Sequence, residues 1–372
     1  MTTSASGLPQ TTAASLLAGR KSLAKVSALI GFDGFVDNIY YSVDKRKSAT
    51  EYTRIPTLKA YGERIAAAAG KSANIEVVCQ AVKLGGNGPI MANAMGAQSV
   101  PLTYCGMIGD KEIHPVFAEL AKRSTAIGIS EPAVSDAMEF DDGKLIVGKH
   151  ATVANVTYEN IIKFVGAKKW ADLWNKATFV GVVNWTMLPH LTDLWKKIQK
   201  NHAPKKGEAR KTMFIDLCDP SKRPVAELQN ALKVIAAFQK QHDVILGLNE
   251  SEGVQVGKAL GIECAGRDEA SITKLAADIR AKLGIHTCVV HPVAFAAAAD
   301  ATGAVCVPGP FTPKPKISTG AGDHFNAGFC VGRILGLDLA QALQTGVGTS
   351  GYYVRNAASP SVEQLAKFLK SL

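Results

Sequence analysis

The 372-residue chain has no C-x-x-C pair, no G-x-G-x-x-G at a strand-to-helix turn and no G-x-x-x-x-G-K-[ST] loop. Each absence closes a route. Cys79, Cys105, Cys218, Cys264, Cys288, Cys306 and Cys330 stand far apart, mostly inside apolar runs. A thiol there acts as a small hydrophobe. This argues against a cysteine-based metal site and for a reduced, cytoplasmic protein. The missing glycine motifs exclude a dinucleotide oxidoreductase and a P-loop enzyme. No run of about 18 apolar residues exists, so no membrane span is expected. The Thr/Ser/Ala-rich start has no continuous apolar core, so no signal peptide is expected. Lys plus Arg number 42 against 32 Asp plus Glu, a net charge of +10. The basic residues are scattered, and Lys45-Arg46-Lys47 and Lys205-Lys206 are short runs. No aromatic–basic interleaving suits a nucleic-acid strand. The charge reads as solubility plus attraction for a polyanion.

What is present is an alternation. Apolar content of 47% and charged content of 20% fit a globular protein. No repeat or linker divides the chain. Residues 1–10 are expected to lack order, and Leu16, Leu17, Leu23 and Val26 suggest a short helix. Residues 27–32 and 100–108 read as strands, as do 76–79. From about 158 the pattern becomes helix–strand–helix–strand. Strands are predicted at 178–183, 212–217, 243–248 and 286–291. Helices are predicted at 58–69, 112–124, 158–174, 188–201, 224–241, 250–260, 268–283, 338–356 and 361–370. Such alternation predicts a mostly parallel sheet with helices on both faces. Alternating segments near 37–57 and 135–155, with a turn at Asp141-Asp142-Gly143-Lys144, predict strands of a small lid. The stretches near 46–80 and 202–210 have no assigned role.

Ligands of open α/β sheets bind beyond the carboxyl ends of strands. Asp33 and Asp37 follow the first strand; each is a substrate contact or a turn residue. Gly85-Gly86-Asn87-Gly88 precedes a helix that Pro89 can open. Gly85 and Gly86 would let backbone lie against a ligand, and Asn87 and Asn93 offer amides to hydroxyls. Asn249-Glu250-Ser251-Glu252 follows the strand 243–248. Asn249 and Glu252 suit Mg²⁺, which takes oxygen ligands; they equally fit a helix cap. Gly320-Ala321-Gly322-Asp323 opens an apolar helical pattern. Its free N–H groups make a candidate anion hole. Asp323 is either a helix-terminal charge or a general base beside a phosphate.

Three ordered motifs, Gly85-Gly86-Asn87-Gly88, Asn249-x-x-Glu252 and Gly320-Ala321-Gly322-Asp323, resemble those of the PfkB/ribokinase family of carbohydrate and nucleoside kinases. The resemblance covers about residues 27–372, leaving residues 1–26 as an extension. It implies one ribokinase-like three-layer α/β/α domain with a mostly parallel central sheet and a small β-sheet lid. It implies an ATP-dependent kinase acting on a sugar or sugar acid, with a nucleoside kinase or a silent sugar-binding relative as alternatives. Asp323 would be the general base, with Gly320, Ala321 and Gly322 stabilising the moving phosphoryl group. Thr319 and Asn356 would join Asn249 and Glu252 around ATP, the last two positioning Mg²⁺ through water. Asp37 or Asp33, with Gly85, Gly86, Asn87 and Asn93, would hold the sugar. A homodimer through the lid is implied; nucleic-acid and membrane partners are not. The chain departs from the family twice. Ile317 stands where relatives often place an acidic residue that helps hold an activating monovalent cation. His291-Pro292-Val293 replaces a Thr-x-Gly turn that touches nucleotide phosphates.

Overall fold

The computed structural model describes residues 7–204 and 207–372. The expected lack of order over residues 1–10 lies outside them for 1–6 and does not hold for 8–10, where Pro9 sits in the first turn of a helix, Leu8–Gly19; Lys205-Lys206 also lie outside them.

In chain order, β1 (Ala28–Gly31) leads into the long β2 (Phe35–Arg46), then β3 (Tyr52–Arg54) and β4 (Val77–Gly85). Next come β5 (Leu102–Gly106), β6 (Thr125–Gly128), β7 (Ala133–Phe140) and β8 (Gly143–Lys149). The second half adds β9 (Phe179–Val182), β10 (Lys211–Asp216), β11 (His242–Asn249), β12 (Thr287–His291), β13 (Phe295–Asp300) and β14 (Gly303–Pro308). Nine of these form one sheet in the order β14-β13-β12-β11-β10-β9-β1-β5-β6. It is parallel except at β13 and β14.

Successive side chains alternate across that sheet. Leu29, Met213 and Ile215 enter one apolar cluster; Ala28, Ile30 and Phe214 enter the other. Helices cover both, so the domain has three layers. The helix Leu8–Gly19 sends Ala13 and Leu16 into the second cluster with Leu365 and Leu369. From residue 8 onward the expected N-terminal extension is thus built into the core.

β2 leaves the large sheet and founds a separate five-stranded one with β3, β4, β7 and β8. The stretch near 46–80 supplies part of it. Ile55 of that stretch packs with Met138, Phe140 and Tyr61 beneath the lid. β4 runs much further than the strand expected at 76–79. Its residues are mostly exposed, so no apolar run announces it. The helix expected at 158–174 is two helices, Tyr158–Val165 and Ala167–Lys176, broken at Gly166 with φ +87°. The helix expected at 112–124 starts with a 3₁₀ turn at Pro115 and becomes α-helical over Ala118–Arg123. Among the described residues no helix is long and apolar enough to cross a membrane. All seven cysteines are free thiols.

Candidate active site

The carboxyl ends of β10, β11 and β12 deliver Asp216, Asn249 and His291 to one edge of the sheet. The helix Ala321–Ile334 starts opposite them. Gly320 caps it with φ +84°, a conformation glycine adopts freely. The Ala321 N–H donates to the Ser318 carbonyl (3.1 Å), and the His324 N–H donates to the Gly320 carbonyl (3.1 Å). The N–H groups of Gly322 and Asp323, in the first helical turn, have no helical acceptor. They carry the positive end of the dipole and lie beside a cavity of 530 Å³ that Ala321, Gly322 and Asp323 line.

A second cavity, of 930 Å³, lies between this edge and the lid. Asn87, Cys218, Pro315 and Ser318 line both. Asp323 lines the smaller cavity and is only 8% exposed. Its Oδ1 accepts a bond from Asn87 Nδ2 at 2.9 Å. Burial pushes its pKa well above the usual carboxylate range; the Asn87 bond opposes this, and the charges of Asp33 and Glu252 add to it.

The two aspartates after the first strand have different surroundings. Asp33 is fully buried. It accepts bonds from Asn87 N (2.9 Å), Gly88 N (2.9 Å) and Asn184 Nδ2 (2.7 Å). Burial raises its pKa to about 6 in spite of them. The glycine pair packs against these carboxylates, and Gly86 also lines the larger cavity. A Cβ on Gly86 would come within 2.9 Å of Asp33 Oδ2, and one on Gly85 within 2.4 Å of Asp37 Oδ2. Asp37 lines the larger cavity. It sits on β2 opposite Lys83 of β4 and Ser135 of β7. Burial raises its pKa; a Ser135 hydrogen bond and the charges of Lys144 and Lys83 pull it back.

Asn249 and Glu252 form a capping box. Asn249 Oδ1 accepts from Glu252 N (3.0 Å), and Glu252 Oε2 accepts from Asn249 N (2.8 Å). Glu252 Oε1 also accepts from Asp219 N (2.8 Å). The pair nevertheless lines the smaller cavity. Thr319 lines the larger one, not the smaller. Asn93 lines the larger cavity too, but its Oδ1 is held by Arg123 (3.0 Å). Asn356 lines neither: it is exposed and donates to the Tyr352 carbonyl of its own helix (2.8 Å). His291 is half-buried against the Phe325 ring at 4.5 Å between centroids, and desolvation lowers its pKa to about 4. It lines the smaller cavity as a neutral ring.

Sequence reasoning passed over Asp216. It ends a predicted strand, the same signal that picked out Asp33 and Asn249. Its Oδ2 accepts from Asn326 (3.1 Å), while Oδ1 is buried without a partner. Burial, then the charges of Glu252 and Asp323, push its pKa well up. The smaller cavity is lined by four carboxylates, Asp216, Asp219, Glu252 and Asp323, and by no lysine or arginine. The chain's net positive charge is therefore not gathered there. A polyanion entering it needs a cation between, and the orphaned Asp216 oxygen fits Mg²⁺ chemistry.

The family model for prokaryotic ketohexokinase matches residues 9–372. A ketohexokinase of Haloferax volcanii is 28% identical over 342 residues, spanning 91% of this chain and 90% of that relative. Among solved structures, Arabidopsis thaliana ribokinase complexed with ribose and ATP aligns at 16% identity with a TM-score of 0.63, covering 93% of this chain and 98% of that one. Escherichia coli phosphofructokinase-2, in complex with substrates and products, aligns at 12% identity with a TM-score of 0.60, covering 93% and 99%. The three-layer domain with its small separate sheet is the ribokinase fold.

Proposed function

Because the chain belongs to the prokaryotic ketohexokinase family and is a sugar kinase, we propose that it transfers the γ-phosphoryl group of ATP to a hydroxyl of a ketohexose. The observation that carries this reading is the position of Asp323, on the wall of the smaller cavity, bonded to the Asn87 side chain that lines both cavities and beside the free N–H groups of the Gly320-Ala321-Gly322 turn.

The nucleotide occupies the smaller cavity and the sugar the larger. Asp37 and Asn87 accept and donate to sugar hydroxyls. Asp323 takes the proton of the attacking hydroxyl as its oxygen bonds to phosphorus and the bond to the leaving ADP breaks. A positioned base contributes about 10²–10⁴-fold. A carboxylate whose acidity is weakened by burial holds a proton better, so it suits that task. The N–H groups of Gly322 and Asp323 take up charge on the moving phosphoryl group, each worth on the order of 10²–10³-fold. Asp216, Asn249 and Glu252 would hold Mg²⁺, which would neutralise charge between the phosphates and the four carboxylates. Lid closure excludes water, which otherwise competes as acceptor. Strand alternation turns Asp37, Lys83, Ser135 and Lys144 toward the cavity and leaves Val82 and Val147 on the other lid face, 52% and 47% exposed. These two valines flank Asn38 and Asp136 in one cross-strand row, an exposed mixed face on which a homodimer through the lid would form.

The test is ADP release with Mg-ATP across ketohexoses, aldohexoses, sugar acids and nucleosides, with Asp323→Asn alongside. Turnover strongest on a ketohexose and lost in the variant is expected. Turnover strongest on a nucleoside would replace the substrate assignment. A flat panel, with no thermal shift by ATP, would point to a sugar-binding relative.

A further inference from the structure

The residue after the proposed base is a histidine, and it is only 2% exposed. His324 Nδ1 lies 2.8 Å from the Gly320 carbonyl and Nε2 lies 2.8 Å from the Ser359 hydroxyl. A carbonyl can only accept, so Nδ1 carries the hydrogen. Burial lowers the pKa of the ring to about 4. Neutral, it therefore accepts from Ser359 through Nε2. The ring also stacks on Tyr353, with centroids 3.6 Å apart and planes at 13°. Tyr353 in turn donates its hydroxyl to the Thr319 carbonyl at 3.0 Å. Both carbonyls of the Thr319–Gly320 pair are thus tied to side chains from two different helices. Ala321 N–H, bonded to Ser318, closes the turn from within.

A monovalent cation under this turn needs oxygen ligands. The side chain at the position where relatives place an acid is Ile317, which offers none. The Thr319 carbonyl already accepts from the Tyr353 hydroxyl, and the Gly320 carbonyl from both the backbone N–H and the Nδ1–H of His324, so their lone pairs are engaged by donors rather than open to a cation. These residues do not fit the activating cation that an acidic residue helps hold in some relatives.

We propose that His324, bridging Gly320 and Ser359 and stacked on Tyr353, braces the Gly320-Ala321-Gly322 turn in place of an activating monovalent cation, so that the enzyme needs none. His324 is a positioning residue: it reaches the phosphoryl group only through the turn. The inference rests on reading that turn as the anion hole.

Two measurements test it. The first is thermal unfolding of the wild-type chain without substrates, in potassium chloride and in tetramethylammonium chloride at equal ionic strength. A bound cation would raise the melting temperature by mass action; coincident curves are expected, and a potassium-specific rise overturns the proposal. The second compares His324→Asn with His324→Leu. Asn keeps a donor near the Nδ1 position, whereas Leu keeps the bulk and loses the donor. With a misplaced turn, kcat of the Leu variant should fall on the order of 10²-fold with both KM values little changed, and Asn should recover most of it. A Leu variant as fast as wild type overturns the proposal, as does a loss confined to sugar KM, which would make His324 an acceptor-site contact. If Leu does not fold, the salt comparison and Ser359→Ala, expected to lower kcat in the same sense, decide. Absence of turnover on every sugar in wild type would count against the kinase reading alone, leaving the unfolding curves to judge the brace.

Discussion

Asn87 donates its side-chain amide to the Asp323 carboxylate across 2.9 Å, joining the glycine-rich segment of the first half of the chain to the helix of the G-A-G-D turn. The same residue gives its backbone N–H to Asp33. One asparagine therefore ties the buried carboxylate below the site to the proposed base within it.

That bond sets a pH dependence. Burial raises the Asp323 pKa and the Asn87 bond lowers it. A general base acts when deprotonated, so kcat/KM rises with pH through the Asp323 pKa of the free enzyme. Asn87→Ala removes the lowering contact, so the acid limb should move to higher pH. A displacement of about one pH unit corresponds to about 1.4 kcal/mol. A pH–rate profile with an unmoved acid limb, whatever its height, would show that Asn87 does not tune the base.

Gly85 separates the two aspartates by function. A Cβ at this position would come within 2.4 Å of Asp37 Oδ2 and 2.5 Å of its Cγ. Gly85→Ala must move the Asp37 carboxylate out of its place between Lys83 and Ser135. If Asp37 holds the acceptor, sugar KM should rise on the order of tenfold, equivalent to about 1.4 kcal/mol, with ATP KM unchanged. Steady-state kinetics with each substrate varied checks this. A rise in ATP KM alone would place Asp37 outside the sugar site.

The main sheet was legible because its strands are short, apolar runs buried on both faces, as β9, β10 and β12 show. The G-A-G-D helix was legible because glycine, carboxylate and apolar periodicity stand together in sequence. What escaped depends on approach in space. Gly86 and Gly88 are required by Asp33, which lies 54 and 55 residues from the backbone amides it binds. No local pattern states that distance. Asp216 meets Asn326 across 110 residues, and only the folded sheet edge brings them together. His324 was hidden in the buried face of an apolar helix. The lid strand β4 was misjudged because its exposed side chains carry no core periodicity.

The capping box makes a double prediction. Asn249→Ala removes the acceptor of the Glu252 N–H, a loss of about 1 kcal/mol. The denaturation midpoint should fall while the slope of stability against urea stays the same. The Glu252 carboxylate keeps the bonds it accepts from the Asn249 and Asp219 backbone N–H groups, so half-saturation by Mg²⁺ at fixed ATP should rise through loss of the Asn249 amide itself. A magnesium titration identical to wild type would reduce Asn249 to a cap and remove it from the metal's surroundings.

Asn184 tests how the buried Asp33 is stabilised. It is 2% exposed, holds φ at +64° and donates to Asp33 Oδ2 at 2.7 Å. Asn184→Gly keeps that backbone without strain and deletes the amide alone. Folding raises the Asp33 pKa from 3.8 to about 6. The folded chain thus holds the proton more tightly than the unfolded one, so Asp33's contribution to stability is fullest below 3.8 and is lost as pH rises through about 6. The Asn184 bond opposes this loss by favouring the charged form. Its removal should therefore cost more above that window than below it. A bond to a charged group is worth about 1.5–3 kcal/mol and a neutral one about 1 kcal/mol, so the variant's deficit should roughly double between about pH 5 and about pH 8. The entropic cost of an added glycine is independent of pH and cancels in the comparison. Urea unfolding of both proteins at the two pH values reads the difference directly. A deficit that is constant with pH would mean that Asp33 keeps one protonation state across the range, and a deficit that shrinks would reverse the assigned role of the bond.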